Sequence, residues 1–430
     1  MSKHRLIAAA LLAATVAALV GVSTAGGARH ATTISVMAVW TGAEQKSFEA
    51  VLAGFQKTNS GVKVKYTSGG DQMPTVLATA VQGGNPPDVA ILAQPGLMKD
   101  FAKKGALKPL SFVTSTLKAN FAPVWSQLGQ VNGKQYGVIW KGANKSTVWY
   151  NVPAFKAAGV KPPANWPALI KAASTLKASG TNPYSIGGAD GWTLTDLFEN
   201  IYLRSAGPAK YDQLSTHKIK WTDPSVKTAL KYMAQIIGNS GDIAGGTSGA
   251  LQLDFPTSVS QVFASPSKAA MVFEGDFVAG VITSSTKAKP VSGFNVFGFP
   301  AIGKSGTVVV GGGDTAVMFK DNPATRALIK YLASPEAGTI WAKRGGFSSP
   351  NKKVPASAYP DPITRVTATA LAKAPVFRFD MSDLQPASFG GTVGQGEFKI
   401  FQDFLKNPKN VNGIAASLES SAAKAYAKGK

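Results

Sequence analysis

Between residues 34 and 92 the chain alternates strand and helix patterns, and this alternation restricts the fold more than any other feature. Ile34–Val39 is a β-rich run ending in Trp40-Thr41-Gly42, after which Phe48, Val51, Leu52 and Phe55 recur at helical spacing. Val62-Lys-Val-Lys-Tyr66 alternates as a second strand, and Pro74 opens a helix carrying Val76, Leu77 and Val81. The Gly83–Pro87 turn then leads into Asp88–Leu92 as a third strand. A βαβαβ order predicts a mostly parallel sheet with helices on its faces. Ligands of such sheets sit beyond the carboxyl ends of the strands. Those three ends are Trp40-Thr41-Gly42, Gly69-Gly70-Asp71 and Gln94-Pro95-Gly96.

Further along, residues 136–140 and 146–150 read as strands separated by Lys141-Gly142-Ala143-Asn144-Lys145. Helical patterns dominate from there to about residue 265, including a helix started at Pro167 and another through Thr195–Leu203. Strands are expected at 268–273 and 294–299, and a pair at 307–310 and 315–319 flanking Gly311-Gly312-Gly313-Asp314. Asn322-Pro323 and Ser334-Pro335 each signal a capped helix start.

Composition removes several chemistries. The 430 residues include no Cys, which excludes disulfides, thiol nucleophiles and thiolate metal sites, and three His, of which His4 and His30 lie at the extreme N-terminus. No metal site, cofactor or His-based triad is expected from such a set. Lys3 and Arg5 precede an apolar run from Leu6 to Val22 and the small residues Ser23–Ala28, the pattern of a secretory signal peptide over residues 1–28 cleaved after Ala25 or Ala28. The remainder is expected to be exported to the periplasm or the cell-envelope exterior, and no Cys follows the signal to carry a lipid. The formal charge of +22 is the one extreme value, and the signal accounts for only Lys3 and Arg5 of it. Lys99, Lys103, Lys104 and Lys108 form the densest basic run; the other lysines are scattered, which argues for solvated surface and against nucleic-acid binding. Gly298–Ser305 satisfies the literal P-loop pattern, but Thr307–Val310 after it reads as strand where a phosphate site needs a helix.

Several segments together resemble the extracellular solute-binding proteins of ABC sugar importers, the family that includes maltose-binding protein. Gly84-Asn-Pro-Pro-Asp88-Val precedes the third strand, and Asn132-Gly-Lys-Gln-Tyr-Gly137-Val leads to Thr147-Val-Trp-Tyr150-Asn151. Phe155–Gly159 with Pro162–Trp166, Ala270–Asp276 with Phe277 in place of the family's Trp, Ser334-Pro-Glu336, and Trp341–Gly346 through Ser349-Pro350 continue the series in family order. Asp190-Gly191-Trp192 and Asp383–Pro386 are similar to the α-glucoside branch. The resemblance implies a two-lobed type II periplasmic-binding fold, each lobe a mostly parallel sheet flanked by helices and joined by hinge strands crossing near 141–146, 292–300 and 350–360. Lobe I would comprise 32–141 and 298–350, and lobe II 142–297 and 351–430. It further implies a monomeric, non-catalytic receptor that closes on a small-molecule sugar and docks on the transmembrane subunits of an ABC permease.

A sugar presents apolar CH faces and a ring of hydroxyls, so its site needs aromatic platforms and oriented polar groups. Trp40 and Trp192 are the platforms expected from their loop positions. From the first lobe the candidates are Thr41, Gly42, Glu44, Asp71, Gln94 and Pro95, with Gly312, Gly313 and Asp314 offering close backbone approach. From the crossover and second lobe they are Lys141, Asn144, Asp196, Glu274 and Asp276, with Arg378 as a hydroxyl clamp or an ion-pair partner of Asp380. The alternative is a secreted glycoside hydrolase, which would need two converging carboxyls such as Glu274 with Asp276 or Asp196 with Glu199.

Overall fold

The computed structural model of the chain describes residues 31–428, so the expected signal segment lies outside the described residues. The chain lays down β1 (Thr32–Ala38), β2 (Val62–Ser68), β3 (Val89–Leu92) and β4 (Gly137–Asn144), then β5 (Thr147–Asn151), β6 (Asn182–Tyr184), β7 (Ala269–Phe273) and β8 (Phe294–Gly298), and last β9 (Val308–Met318) and β10 (Val376–Phe379). They make two principal sheets. The larger runs β10-β9-β3-β1-β2 with β4 also paired to β9, and the smaller runs β8-β5-β7-β6. Each sheet is flanked by helices and centres one of two large apolar cores, giving two lobes.

The βαβαβ opening is present as expected: β1 pairs in parallel with both β2 and β3. Other neighbours run antiparallel, as β9 does to β3 and β4, and β8 and β7 do to β5. Residues 376–379, expected in lobe II, form β10 and pair in parallel with β9 in the larger sheet. Helix starts follow the cap signals. Asn322 caps Pro323–Leu332 with a full capping box, and Asn165 and Ser334 cap Trp166–Ala178 and Pro335–Ala342. Among the described residues no helix is long and apolar enough to cross a membrane.

Two expectations fail, and for one reason. Residues 141–144 belong to β4, and Gly311–Asp314 lie inside a continuous eleven-residue β9 rather than in a loop between two strands. The glycines are there because neighbours pass too close for a side chain. A Cβ on Gly313 would sit 2.8 Å from Ile139 Cγ2 and from the Lys141 carbonyl, and one on Gly311 would collide with the Phe377 ring. Their peptide groups lie in the β4–β9 ladder, with a register shift between Asp314 and Thr315. The P-loop-like segment leads directly into β9, without the helix that phosphate binding requires. Gly313→Val should lower stability by roughly 1–3 kcal/mol through overpacking, read as a fall in the urea midpoint at unchanged slope. An unchanged midpoint would show that β4 and β9 do not approach this closely.

Candidate functional site

A cavity of ≈ 290 Å³ lies between the lobes. The loops after β1, β2 and β3 contribute Trp40–Glu44, Gly70–Asp71 and Ala93–Gln94, the three strand ends singled out in the sequence. Lys141, Ala143 and Lys145 enter from β4 and the turn after it, and Gly313 and Asp314 from β9. The remaining wall presents Trp192, Phe255, Phe277 and Phe398, with Ser382 and Asp383.

The first-lobe side is set by the Gly42–Thr58 helix. Thr41 is its N-cap but its hydroxyl makes no cap hydrogen bond, and Glu44 in the first turn sits where the helix dipole favours an anion. Gln94 likewise caps Pro95–Lys103 without using its side chain. Trp40 packs against Phe48, Trp140 and Trp341 at 4.7–5.7 Å between centroids, so it is a rigid part of the core with one edge on the cavity. Trp192 begins the Trp192–Ala206 helix after Gly191, whose φ of +89° and crowding (a Cβ there would lie 2.7 Å from the Phe398 carbonyl oxygen) admit no side chain. Its ring meets Phe255 at 5.3 Å, and its buried Nε1–H has no partner within the protein.

Two buried lysines organise the charges. Lys141 Nζ lies 3.0 Å from Glu44 Oε1 and 3.0 Å from Asp314 Oδ2, with the Trp40, Phe277 and Trp341 rings 5.4–5.7 Å away. Burial disfavours its charge, but Asp314 and Glu44 more than offset this and hold it protonated. Lys145 Nζ lies 2.5 Å from Asp380 Oδ2, 3.1 Å from Asp196 Oδ1 and 3.9 Å from Asp383 Oδ2, and 5.7 Å from the Trp192 ring. The carboxyls around it diverge. Burial alone would raise Asp380, but Lys145 and its other hydrogen bonds bring it to about 2, whereas burial lifts Asp196 to about 8. Burial also raises Asp383 well above the usual carboxylate range. Asp380 caps the turn at 381–384 through Ser382 Oγ and the Asp383 N–H, while Glu199 accepts from the Met381 and Ser382 N–H groups and Tyr211. These bonds place Ser382 and Asp383 on the cavity wall.

Of the sequence candidates, Trp40, Thr41, Gly42, Glu44, Asp71, Gln94, Lys141, Trp192, Gly313 and Asp314 come together around the cavity. The others do not line it. Pro95 begins a helix; Asn144 binds the Thr367 carbonyl and the Ser146 N–H; Asp196 serves Lys145. Glu274 borders a separate small void, Asp276 accepts from Ser348 Oγ, and Gly312 backs onto the Lys145 side chain. Arg378 pairs with Asp212 at 2.5 Å rather than with Asp380, and does not line the cavity. Lys145, Ser382, Asp383, Phe255, Phe277 and Phe398 also line the cavity and are not among the sequence candidates. Phe277 carried a signal, as the position where the resembled family has Trp. Among the described residues no cluster of His, Asp or Glu is arranged to hold a metal ion.

Raised buried carboxyls bind protons in the folded state that the unfolded chain has already lost, so stability should fall as pH rises through their folded values. Asp276 moves from 3.8 to about 6, chiefly by burial. That contribution, roughly 3 kcal/mol, is complete below about pH 4 and gone above about pH 6. The melting temperature should therefore decline from pH 5 to pH 8, with the early part of the decline flattened in Asp276→Asn. An identical profile in the variant would remove Asp276 as a source.

A family model described as bacterial extracellular solute-binding protein matches residues 40–339. The osmoprotective compounds-binding protein GgtB of Synechocystis sp. is 35% identical over 372 residues, covering 85% of this chain and 86% of that protein. The alpha-glucosides-binding periplasmic protein AglE of Rhizobium meliloti is 32% identical over 400 residues, covering 90% and 86%. Among solved structures, the bacterial solute receptor AcbH superposes with a TM-score of 0.81 at 20% identity over 92% of this chain and 100% of that one, and so shares its fold. With the family match spanning both lobes and two relatives above 30% identity along most of their length, this chain belongs to the bacterial extracellular solute-binding proteins.

Proposed function

We propose that the chain is the exported substrate-binding component of an ABC importer. It captures a sugar, by class an oligosaccharide or α-glucoside, by closing its lobes over the cleft and delivers it to the transmembrane permease subunits. Binding shifts an open–closed equilibrium, and the closed form is the one the permease recognises. The protein works as a monomer, with no cofactor and no chemical step. The observation that carries this reading is the cavity itself. Both lobes wall it, Trp192 offers a ring and an unpaired indole N–H, and Thr41 and Gln94 are caps whose side chains make no cap bonds. An apolar face and uncommitted polar groups side by side are what a sugar ring requires. The relative named for alpha-glucosides supports the same class.

The hydrolase alternative has less support, because its candidate carboxyls are committed elsewhere. Asp196 faces Lys145, Glu199 accepts three hydrogen bonds, Asp276 accepts from Ser348, and none of these or Glu274 lines the cavity.

In a thermal-shift panel of mono- and oligosaccharides rich in α-glucosides, at least one sugar should raise the melting temperature saturably and be recovered unchanged. Trp192→Ala should weaken that binding by about tenfold or more, some 1.4 kcal/mol, without lowering the ligand-free melting temperature comparably. No stabilisation by any sugar would defeat the proposal. Product release from an aryl α-glucoside that Glu274→Gln abolishes would replace it with the hydrolase.

A further inference from the structure

The cleft reverses the charge balance of the chain. Lys and Arg outnumber Asp and Glu by 45 to 23 overall, yet the ionisable side chains lining the cavity are Glu44, Asp71, Asp314 and Asp383 against Lys141 and Lys145. Both ammoniums are already engaged, Lys141 by two carboxyls and Lys145 by three, and their side chains are only 4% and 12% exposed. Neither is left to receive an anion. Lys46, Lys343 and Arg344 line a separate crevice beyond Ala43 and Glu44, outside this cavity.

The surplus carboxyls take up protons instead. Burial raises Glu44 and Asp383, and it lifts Asp71 to about 7 with further contributions from Asp190, Glu44 and Asp254, no cation opposing them. Asp190 and Asp254 immediately precede the Gly191-Trp192 and Phe255 segments of the opposite wall, and Asp71 lines the same cavity as the Trp192 and Phe255 rings. The rings of this cavity already accommodate ammonium groups: Lys141 lies over Trp40 and Phe277, and Lys145 over Trp192.

Building on the reading of the chain as a sugar receptor, we propose that the cleft prefers a polyhydroxyl solute bearing an ammonium group, an amino sugar by class, over its neutral counterpart, and rejects solutes bearing carboxylate or phosphate. An added anion would find no free ammonium to receive it and would oppose ionisation of every carboxyl beside it. An added ammonium beside Asp71 favours ionisation of that carboxyl, whose proton passes to the buffer. Binding of the amino solute is therefore coupled to proton release, and binding of the neutral one is not.

The test is isothermal titration of the full chain at pH 6, in two buffers of different ionisation enthalpy. The probes are three matched sets built on glucose, maltose and trehalose, each with its amino-deoxy and its acid or phosphate analogue. In at least one set the amino form should bind about fivefold more tightly than the neutral form, the scale of one cation–π contact, and release a fraction of a proton. The acid form should bind at least about tenfold more weakly than the neutral form. In Asp71→Asn the amino-to-neutral ratio should fall toward one and the proton release should diminish, with the ligand-free melting curve confirming that the variant is folded. A neutral sugar that binds while its amino form gains nothing, or while its acid form binds equally well, overturns the charge preference and leaves the receptor reading intact. Absence of binding in every set, together with no stabilisation by any sugar of the wider panel, overturns both.

Discussion

Three distant passages of the chain converge on one ammonium group. Lys145 occupies the turn between β4 and β5, its N–H donates to the Val310 carbonyl at the start of β9, and its Nζ binds Asp380 just after β10. Asp380 in turn donates its N–H to the Gly311 carbonyl, and Ser146 Oγ joins Val310 N–H to Asn200. A buried ion pair of this kind adds little net stability over an apolar replacement, yet removal of one partner costs several kcal/mol because a charge is stranded. Its physical value here is geometric. Three crossings that could otherwise slide past one another are held at one point, and the cavity walls hang from that point.

The second lysine extends the arrangement into the binding surface. Lys141 lies four residues back along β4 and ties Glu44 at the start of the Gly42–Thr58 helix to Asp314 on β9. One strand thus fixes both the converging crossings and the floor of the cleft. It can do so only because β9 presents Gly311–Gly313 opposite it, leaving room for the Lys145 stem, Ile139 and the Phe377 ring. The glycine run that looks like a loop is the packing condition for the ion pairs.

This explains what could be read from sequence. The β1–β3 region and the capped helices were legible because periodicity and caps are local, and the three strand ends they position do reach the cavity. The triple glycine reads as a loop because glycine signals turns through its own backbone freedom, whereas here it answers neighbours from other strands. Lys145 was passed over because a lysine between two strands is ordinarily a solvated turn residue. Its partner Asp380 lies 235 residues away, and no local pattern links them. Asn144, Asp196 and Asp276 are adjacent to the cavity wall in sequence but are consumed by supporting bonds, a distinction only the tertiary contacts make.

The excess positive charge then separates from the function of the cleft. At physiological ionic strength, charges on the solvated surface are screened over about 8 Å, while those inside a partly closed cavity act on one another through protein. The surplus of lysine therefore says little about the solute. What an entering molecule meets is the local balance, in which carboxyls exceed ammoniums and the ammoniums are already paired. A strongly basic chain can in this way carry a site with no free cation, because both lysines that reach it are held by carboxyls of the protein itself.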